Sequence, residues 1–565
     1  MTVGPNTVGT GSGVPNNPEE PTDTIGTSGQ LDDFPWSLEV TMSGGGHRAT
    51  AYALGALLYL VHTGLNKRVR NIASVSGASI TNAFIAQRCD FRSVTETEFR
   101  VIAVDLIHRI AHRGLFSVPA TWISIAGIVA LTVAISMLYG WIWWGLLGAF
   151  SSPGHDVWGG LTLPVIALWI PLSLRGWVID RWMSAAYFGP HRTTARLGDV
   201  VGKSIDHVFC ATDLNAGMPF FFSSACGGRQ LSEFYGRSVA RFVPLQLAVR
   251  ASSAFPPLIP PIQYFVVDAW FRAKEKDSTR FEFDPAPSEI WLTDGGAFNN
   301  FGTDWHVARK QLGFLELNHF VDTKHGGSKE QAYRASDWVH PMERYGEIQL
   351  VVDASQREAW TPLANLILPI QGFLSYVART MNVMYSSTLV ARSREAHVAT
   401  FARMKRSPRR WHLEAGPSNL AFPERVREFM EEGALQIYIP YAERLDDIRR
   451  SWDERPRLTP ASRDRWLTHE EDSKGELSAL GDLVSSEANV VPTTFGSLKK
   501  QTALKLVVAG YLNAREGIYG PFDYRPKAIP NRTWFEELLR SQKNETRTQR
   551  FSALIGKYLT KRSAE

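Results

Sequence analysis

Residues 70–88 read RNIASVSGASITNAFIAQR, and the rest of the chain is organised around them. Residues 71–75 are a short apolar run of strand type. Ser76-Gly77 makes a tight turn. Residues 78–88 follow a helical pattern, with Ile80, Phe84 and Ile85 on one side. A serine between a strand and a helix sits on a sharp turn that lifts its hydroxyl clear of the sheet edge, the arrangement called a nucleophile elbow. The usual signature is G-x-S-x-G; here Ser74 and Ala78 stand where the two glycines would be. Both are small, so strand and helix still approach closely, which is the physical need.

Two further stretches bear on the same chemistry. Upstream, residues 38–42 alternate as a strand, with Leu38, Val40 and Met42 on one face. They lead into Ser43-Gly44-Gly45-Gly46-His47-Arg48 and an apolar helix over 49–63. Three glycines leave backbone N–H groups bare at a helix N-terminus, where negative charge is favoured. An oxyanion hole requires such donors. His47, beside them, is expected to cap the helix or to face solvent. Downstream, residues 290–301 read IWLTDGGAFNNF. A strand delivers Asp294 to a Gly295-Gly296 turn, where a carboxylate can act as general base to a serine. Asn299 and Asn300 are expected to hold that turn by side-chain hydrogen bonds, with no chemistry assigned to them.

These three pieces, in this order, resemble the patatin-like lipid acyl hydrolases. The form Ser43-Gly-Gly-Gly-x-Arg48, with Gly77 directly after the serine, is most similar to the cytosolic phospholipase A2 branch. Cys210-Ala-Thr-Asp-Leu-Asn-Ala-Gly217 looks like the family's strand and turn after the nucleophile helix. Arg250-Ala-Ser-Ser-Ala-Phe-Pro-Pro257 looks like the helix end before the catalytic aspartate. The resemblance covers residues 36–355, less one large insert. It implies an α/β fold, a patatin-like three-layer sandwich with a mostly parallel central sheet. It also implies a Ser–Asp dyad without histidine and without cofactor: Ser76 as nucleophile, Asp294 as base, and Gly44, Gly45 and Gly46 as oxyanion hole. Arg48 matches the family arginine that helps hold the anionic part of a phospholipid, or the oxyanion, and Gly77 belongs to the elbow.

Composition narrows the classes further. The chain has 565 residues, 44% of them hydrophobic, ample for a large core. A net charge of +5 is mild for this length and is not the footprint of a nucleic-acid binder. It suits either a basic face toward anionic lipid or a solvated mixed surface. The three cysteines, Cys89, Cys210 and Cys226, have no metal-ligand spacing, and their small number fits a reducing compartment. The opening is rich in Gly, Pro, Thr and Asn, without the basic start and apolar run of a signal peptide, and reads as a disordered tail over 1–33.

Between residues 114 and 174 the only formal charge is Asp156. Residues 118–150 and 158–174 are two apolar stretches near the ~20 residues that a bilayer span needs. A short polar turn at 151–156 joins them, and tryptophans 141, 143, 144, 158, 177 and 182 cluster where interfacial aromatics would sit. Arg109 and Arg113 precede the first stretch and Arg175 and Arg181 follow the second, so both outer ends are expected on the cytoplasmic side. Because Ser76 precedes the insert and Asp294 follows it, the chain must return to the side it left. A two-span membrane hairpin meets that need; a buried hairpin or a re-entrant loop in one leaflet meets it too.

The expected organisation is a tail over 1–33, the first part of the catalytic domain over 34–113, and a hydrophobic membrane-inserted helical hairpin over 114–183. The second part of the catalytic domain follows over 184–400, and a mostly helical C-terminal extension over 401–565. Further helices are expected over 91–113, 363–394, 424–433 and 442–450. Residues 495–514 read as an amphipathic helix with a basic first half, packed on the core or lying on a membrane. The implied activity is a membrane-associated phospholipase A or lipase, with a lipid ester as substrate and the membrane as partner. Three alternatives stay open. A histidine-assisted triad would draw on His306, His319 or His325. A phosphate-binding use of the glycine loop lacks the P-loop lysine. A catalytically silent, membrane-anchored scaffold would keep the fold without turnover. Asp213 is read as a carboxylate that caps a turn.

Overall fold

A computed structural model of the chain describes residues 37–143, 155–189 and 195–265 (short of 203, 233–235 and 257–258), then 271–272, 288–305, 308, 347–354, 435–440, 477–484, 491, 493–522 and 529–540. The tail over 1–33, the helices expected over 363–394, 424–433 and 442–450, and His306, His319 and His325 lie outside the described residues.

The chain opens β1 (Ser37–Met42), α1 (Gly46–His62), β2 (Val69–Val75), α2 (Gly77–Ala86) and α3 (Glu96–His112). The long helices α4 (Pro119–Ile142) and α5 (His155–Met183) follow. Next come β3 (Asp206–Asp213), β4 (Met218–Ser223), β5 (Arg229–Ser232), β6 (Gly236–Val239), α6 (Leu245–Ser252), β7 (Ile262–Phe265), β8 (Phe271–Arg272) and β9 (Glu289–Asp294). The last described elements are β10 (Glu347–Asp353), β11 (Leu435–Pro440), α7 (Lys500–Phe522) and α8 (Arg532–Glu536).

The fold is mixed α/β, with one central sheet and helices packed on it. Strand order is β11-β10-β1-β2-β3-β4-β5-β6-β8, with β9 on β3 and β7 on β9. The pairs from β11 to β3 are parallel, and β1, buried along its whole length, sits in the middle of them. The pairs from β3 onward are antiparallel. The mostly parallel sheet expected from the sequence is therefore correct for one half only. From β3 to β6, connections of three to five residues join successive strands, too short for the crossover that a parallel neighbour needs. α3 starts later than expected, because Thr95 and Glu98 form a capping box and stop the helix from extending back to Phe91.

The C-terminal amphipathic segment packs on the core. α7 lies along α1, with Leu504, Val507, Val508 and Tyr511 fully buried. The two backbones approach very closely. A Cβ on Gly55 would lie 2.0 Å from the Val507 carbonyl oxygen, and a Cβ on Gly510 would lie 2.0 Å from that of Tyr52. β11 pairs with β10 in register from Ile348↔Leu435 to Asp353↔Pro440. Parts of the 401–565 stretch thus belong to the same sheet and core as the N-terminal elements.

α4 and α5 lie against each other, with the Tyr139 and Thr162 hydroxyls hydrogen-bonded. α4 leaves Ile123 and Met137 each 71% exposed, an apolar surface that water does not favour. Among the described residues, α4 alone is long and apolar enough to cross a membrane. The expected two-span topology is thus not supported: a second helix of that length and apolarity is not found among the described residues. α5 carries Arg175, Asp180 and Arg181 in its last third and ends buried, at Trp182 and Met183, inside the core.

Helix propensity alone makes Gly510→Ala stabilising by ~1 kcal/mol. Contact with the Tyr52 carbonyl reverses the sign. Gly510→Ala is expected to lower stability by about 1–3 kcal/mol, read as a lower thermal unfolding midpoint of the detergent-purified protein. A midpoint at or above wild type would mean that α7 does not dock on α1 in this way.

Candidate active site

β3 has two edges. β4 runs along one of them from Val208 to Asp213. β2 and β9 must therefore share the other, and their registers say how. β2 ends with Val75 opposite Cys210, and β9 ends with Asp294 opposite Ala211. The two strands run in opposite senses and finish one β3 residue apart, a step of about 3.3 Å. Ser76 and Asp294, far apart in the chain, are thus brought end to end.

Ser76 takes φ 52° and ψ −125°, and among the described residues it alone has positive φ without being glycine. Such a conformation is strained and persists only where neighbours over-determine it. Here they do. The Ser76 N–H donates to both the carbonyl and the hydroxyl of Ser252, each at 3.0 Å. Behind it runs a buried chain of hydroxyls whose polarity follows from counting protons. Ser74 donates to Val208 O (3.0 Å), so Ser79 must donate to Ser74 (3.1 Å), and Ser252 to Ser79 (2.9 Å). Asn82 closes the chain from the far side through Ser74 Oγ, Ile72 O and Val208 O, and its own Oδ1 accepts from His207 Nδ1 (2.7 Å). Ser74 is therefore not a passive small residue. Its hydroxyl supplies bonding that a glycine could not.

The segment after α6 serves both partners. Ser252 holds Ser76, and the Ala254 carbonyl accepts from Asp294 N (3.2 Å) and Thr293 Oγ1 (2.8 Å). Asp294 is 2% exposed. Its Oδ1 accepts from Gly296 N at 2.7 Å, which caps the short turn that follows. Its Oδ2 has no partner at full hydrogen-bond geometry, although the Ser76 hydroxyl is near enough to favour the charged carboxylate. Burial outweighs the help from Gly296 and Ser76 and pushes the Asp294 pKa up to about 7.

The glycine loop lies alongside. Gly45 and Gly46 have φ 145° and 59°, and Gly46 begins α1. A Cβ on Gly44 would lie 2.9 Å from Ser76 Cβ, and one on Gly77 would lie 2.0 Å from the Gly46 carbonyl oxygen, so loop and elbow are in direct backbone contact. The Gly44 N–H is taken by Asn300, through its carbonyl (3.3 Å) and its Oδ1 (3.1 Å). Asn300 therefore ties the loop to the Asp294 turn, a part the sequence reading did not assign. Ser43 anchors the loop to the end of β10 through Asp353 Oδ1 and Ala354 N. Arg48 is buried, its Nε donating to Ala354 O (2.9 Å) and its Nη1 to Val491 O (2.9 Å). It braces the underside of the loop.

His47 departs from expectation. It is fully buried rather than at the surface. Asp213 behaves as read, its Oδ1 accepting from Asn215 N at 2.8 Å to cap a turn. No group of three metal-ligating side chains occurs among the described residues.

No family model matches the chain, and no curated protein matches it. Among the solved structures that align with it in part are two of note. Human GIVD cytosolic phospholipase A2 aligns with a TM-score of 0.38 at 12% identity, over 88% of this chain and 61% of its own. VipD from Legionella pneumophila aligns with a TM-score of 0.23 at 12% identity, over 90% of this chain and 92% of its own. The chain thus spans less than two thirds of the length of the first. At these scores the likeness carries no weight for what the chain does; the site geometry does.

Because the folded state raises the Asp294 pKa from 3.8 to about 7, it binds a proton there more tightly than the unfolded chain. This contribution to stability is full below about pH 4 and is lost as pH rises toward 7. Asp294→Asn is expected to flatten the thermal midpoint over that window relative to wild type. Parallel pH profiles for the two proteins would contradict the buried, proton-binding carboxyl.

Proposed function

We propose that the protein is a patatin-like lipid acyl hydrolase, a phospholipase A or lipase, that works with a Ser76–Asp294 dyad. The single observation that carries this reading is the meeting of the two strand ends on β3, which puts a hydroxyl on a strained turn against a buried carboxyl with a glycine loop beside both.

The chemistry follows from those groups. Asp294, ionised, takes the proton of Ser76, and Oγ attacks the ester carbonyl. Negative charge develops on the carbonyl oxygen next to the start of α1. There the backbone N–H groups of Gly45 and Gly46 and the helix N-terminus stabilise it, each donor by roughly 3–4 kcal/mol. The tetrahedral intermediate collapses, the proton passes from Asp294 to the leaving alcohol, and an acyl-Ser76 ester remains. Water, deprotonated by Asp294, then attacks the acyl-Ser76 carbonyl; as the tetrahedral intermediate collapses, Asp294 returns the proton to Ser76 Oγ and the fatty acid leaves. Gly44 donates to Asn300, and its place in the oxyanion hole requires Asn300 to yield. Arg48, tied to two carbonyls, supports the loop from below; headgroup contact by Arg48 requires its release from them.

A lipid as substrate is supported by α4 and its exposed apolar surface. A long-chain ester is scarce as free monomer in water, and an anchored enzyme meets it at high local concentration. The proposed anchor is the apolar excursion over 114–183, with the soluble parts on either side of it on the cytoplasmic face. A silent scaffold is the competing reading, favoured by the occupied Gly44 N–H.

Covalent labelling by a fluorophosphonate probe separates the two. Wild type in detergent is expected to label at Ser76 and to release fatty acid from a phospholipid; Ser76→Ala is expected to do neither. Asp294→Asn should lower kcat by about 10³-fold or more, and wild-type activity should rise with pH through a midpoint near 7. Absence of both labelling and ester cleavage in wild type would favour the scaffold.

A further inference from the structure

His47 sits where three parts of the chain meet. It is the second residue of α1, immediately after the glycine loop. Its backbone N–H donates to Thr494 O at 2.8 Å. Its Nδ1 lies 2.7 Å from Gly496 O, and its Nε2 lies 2.6 Å from the Tyr187 hydroxyl. A carbonyl only accepts, so Nδ1 carries the proton. Full burial keeps the ring neutral, with its pKa lowered to about 4, so Nε2 accepts and Tyr187 donates. Trp182, Tyr187 and Phe495 surround the ring edge-on or tilted, with centroids 5.7–6.0 Å away.

The partners of His47 lead to the base of the apolar excursion. Tyr187 lies in the turn Ser184–Phe188 that ends α5. The exit is bolted to the entry: Trp182 Nε1 donates to Arg113 O, Arg113 donates to Ala185 O and Arg109 to Ala186 O. The 494–498 segment is bolted to the entry as well. Leu115 N donates to Phe495 O, Gly114 N to Ser497 Oγ, and Leu498 N to Ile110 O. The same segment presses on the loop, since a Cβ on Gly46 would lie 2.4 Å from Thr494 O. Entry, exit and C-terminal segment therefore converge on one imidazole next to the oxyanion glycines.

We propose that His47 is a positioning residue for the glycine loop, clamping it between Tyr187 at the base of the apolar helices and Gly496 of the C-terminal segment, so that the seating of those helices sets the geometry of the oxyanion donors. The kinetic consequence rests on the hydrolase reading; the placement of the loop does not.

The test uses the full chain in detergent micelles and two readouts. Hydrogen exchange by mass spectrometry follows a peptide over residues 42–50, with one over 80–86 as control. His47→Phe, which keeps a ring and removes both bonds, is expected to speed exchange of the loop peptide about 10-fold while the control stays unchanged. His47→Asn, whose Nδ2 can donate to Gly496 O in place of the ring, should recover most of the protection. Tyr187→Phe should act in the same direction, and the double variant His47→Phe/Tyr187→Phe should be no worse than His47→Phe alone, because both remove one unit. With a soluble short-chain ester, His47→Phe should lower kcat about 10–100-fold and leave KM within about twofold, the mark of a lost transition-state contact. Wild-type exchange in His47→Phe, or exchange that rises equally in the control, overturns the proposal. Wild type that neither labels nor cleaves esters overturns the hydrolase reading instead, and the exchange readout still decides the role of His47. Active wild type with kcat unchanged in His47→Phe also overturns the proposal.

Discussion

One edge of β3 is long enough for two strands, and the structure uses it for both. β2 occupies the lower part and leaves at Val75; β9 occupies the rest and stops at Asp294. Backbone hydrogen bonding in a sheet fixes register in whole residues, so the place where the two strands end follows from the pairing of Asn71–Val75 and of Leu292–Asp294 with β3 and needs no local attraction between Ser76 and Asp294. The carboxyl is brought to the hydroxyl by the sheet. Ser252 and Ala254 then hold the backbone of each partner from one short segment.

That placement has an electrostatic consequence. A carboxyl on an exposed loop would ionise near pH 4. Buried at the sheet edge, with one oxygen held by Gly296 and the other facing Ser76, it titrates near neutrality, where a base is most useful. The opposite side of the site is set by the start of α1. Gly45 and Gly46 take backbone angles that side chains rarely tolerate and lie against the elbow, so carboxyl and helix dipole face the same point from two directions.

The rest of the chain is interleaved with this centre to a degree that linear domain boundaries do not convey. α7 contacts the α1 backbone through Gly55 and Gly510, and residues 494–498 touch both the glycine loop and the root of the apolar helices. A surface helix would need no glycine at position 510. Close backbone packing is the reason for it, as it is for Gly114 against Ser497.

Much of this was legible from residues in order. The strand–turn–helix around Ser76, the glycine loop after β1 and the Asp294 turn all carry local signals: apolar runs of strand length, small residues at a sharp bend, and glycines at a helix start. Local periodicity depends on side chains a few positions apart, so a sequence shows it directly. The buried His47, the Asn300 bond to Gly44, the proton order of the Ser252–Ser79–Ser74 chain and the antiparallel half of the sheet are of another kind. His47 and Gly496 are 449 positions apart, Asn300 and Gly44 are 256 apart, and Ser252 and Ser79 are 173 apart. His47 and Ser74 look, in sequence, like a polar residue at a helix start and a substituted glycine. Which neighbours surround them is decided by packing of distant segments, and only the tertiary structure supplies that.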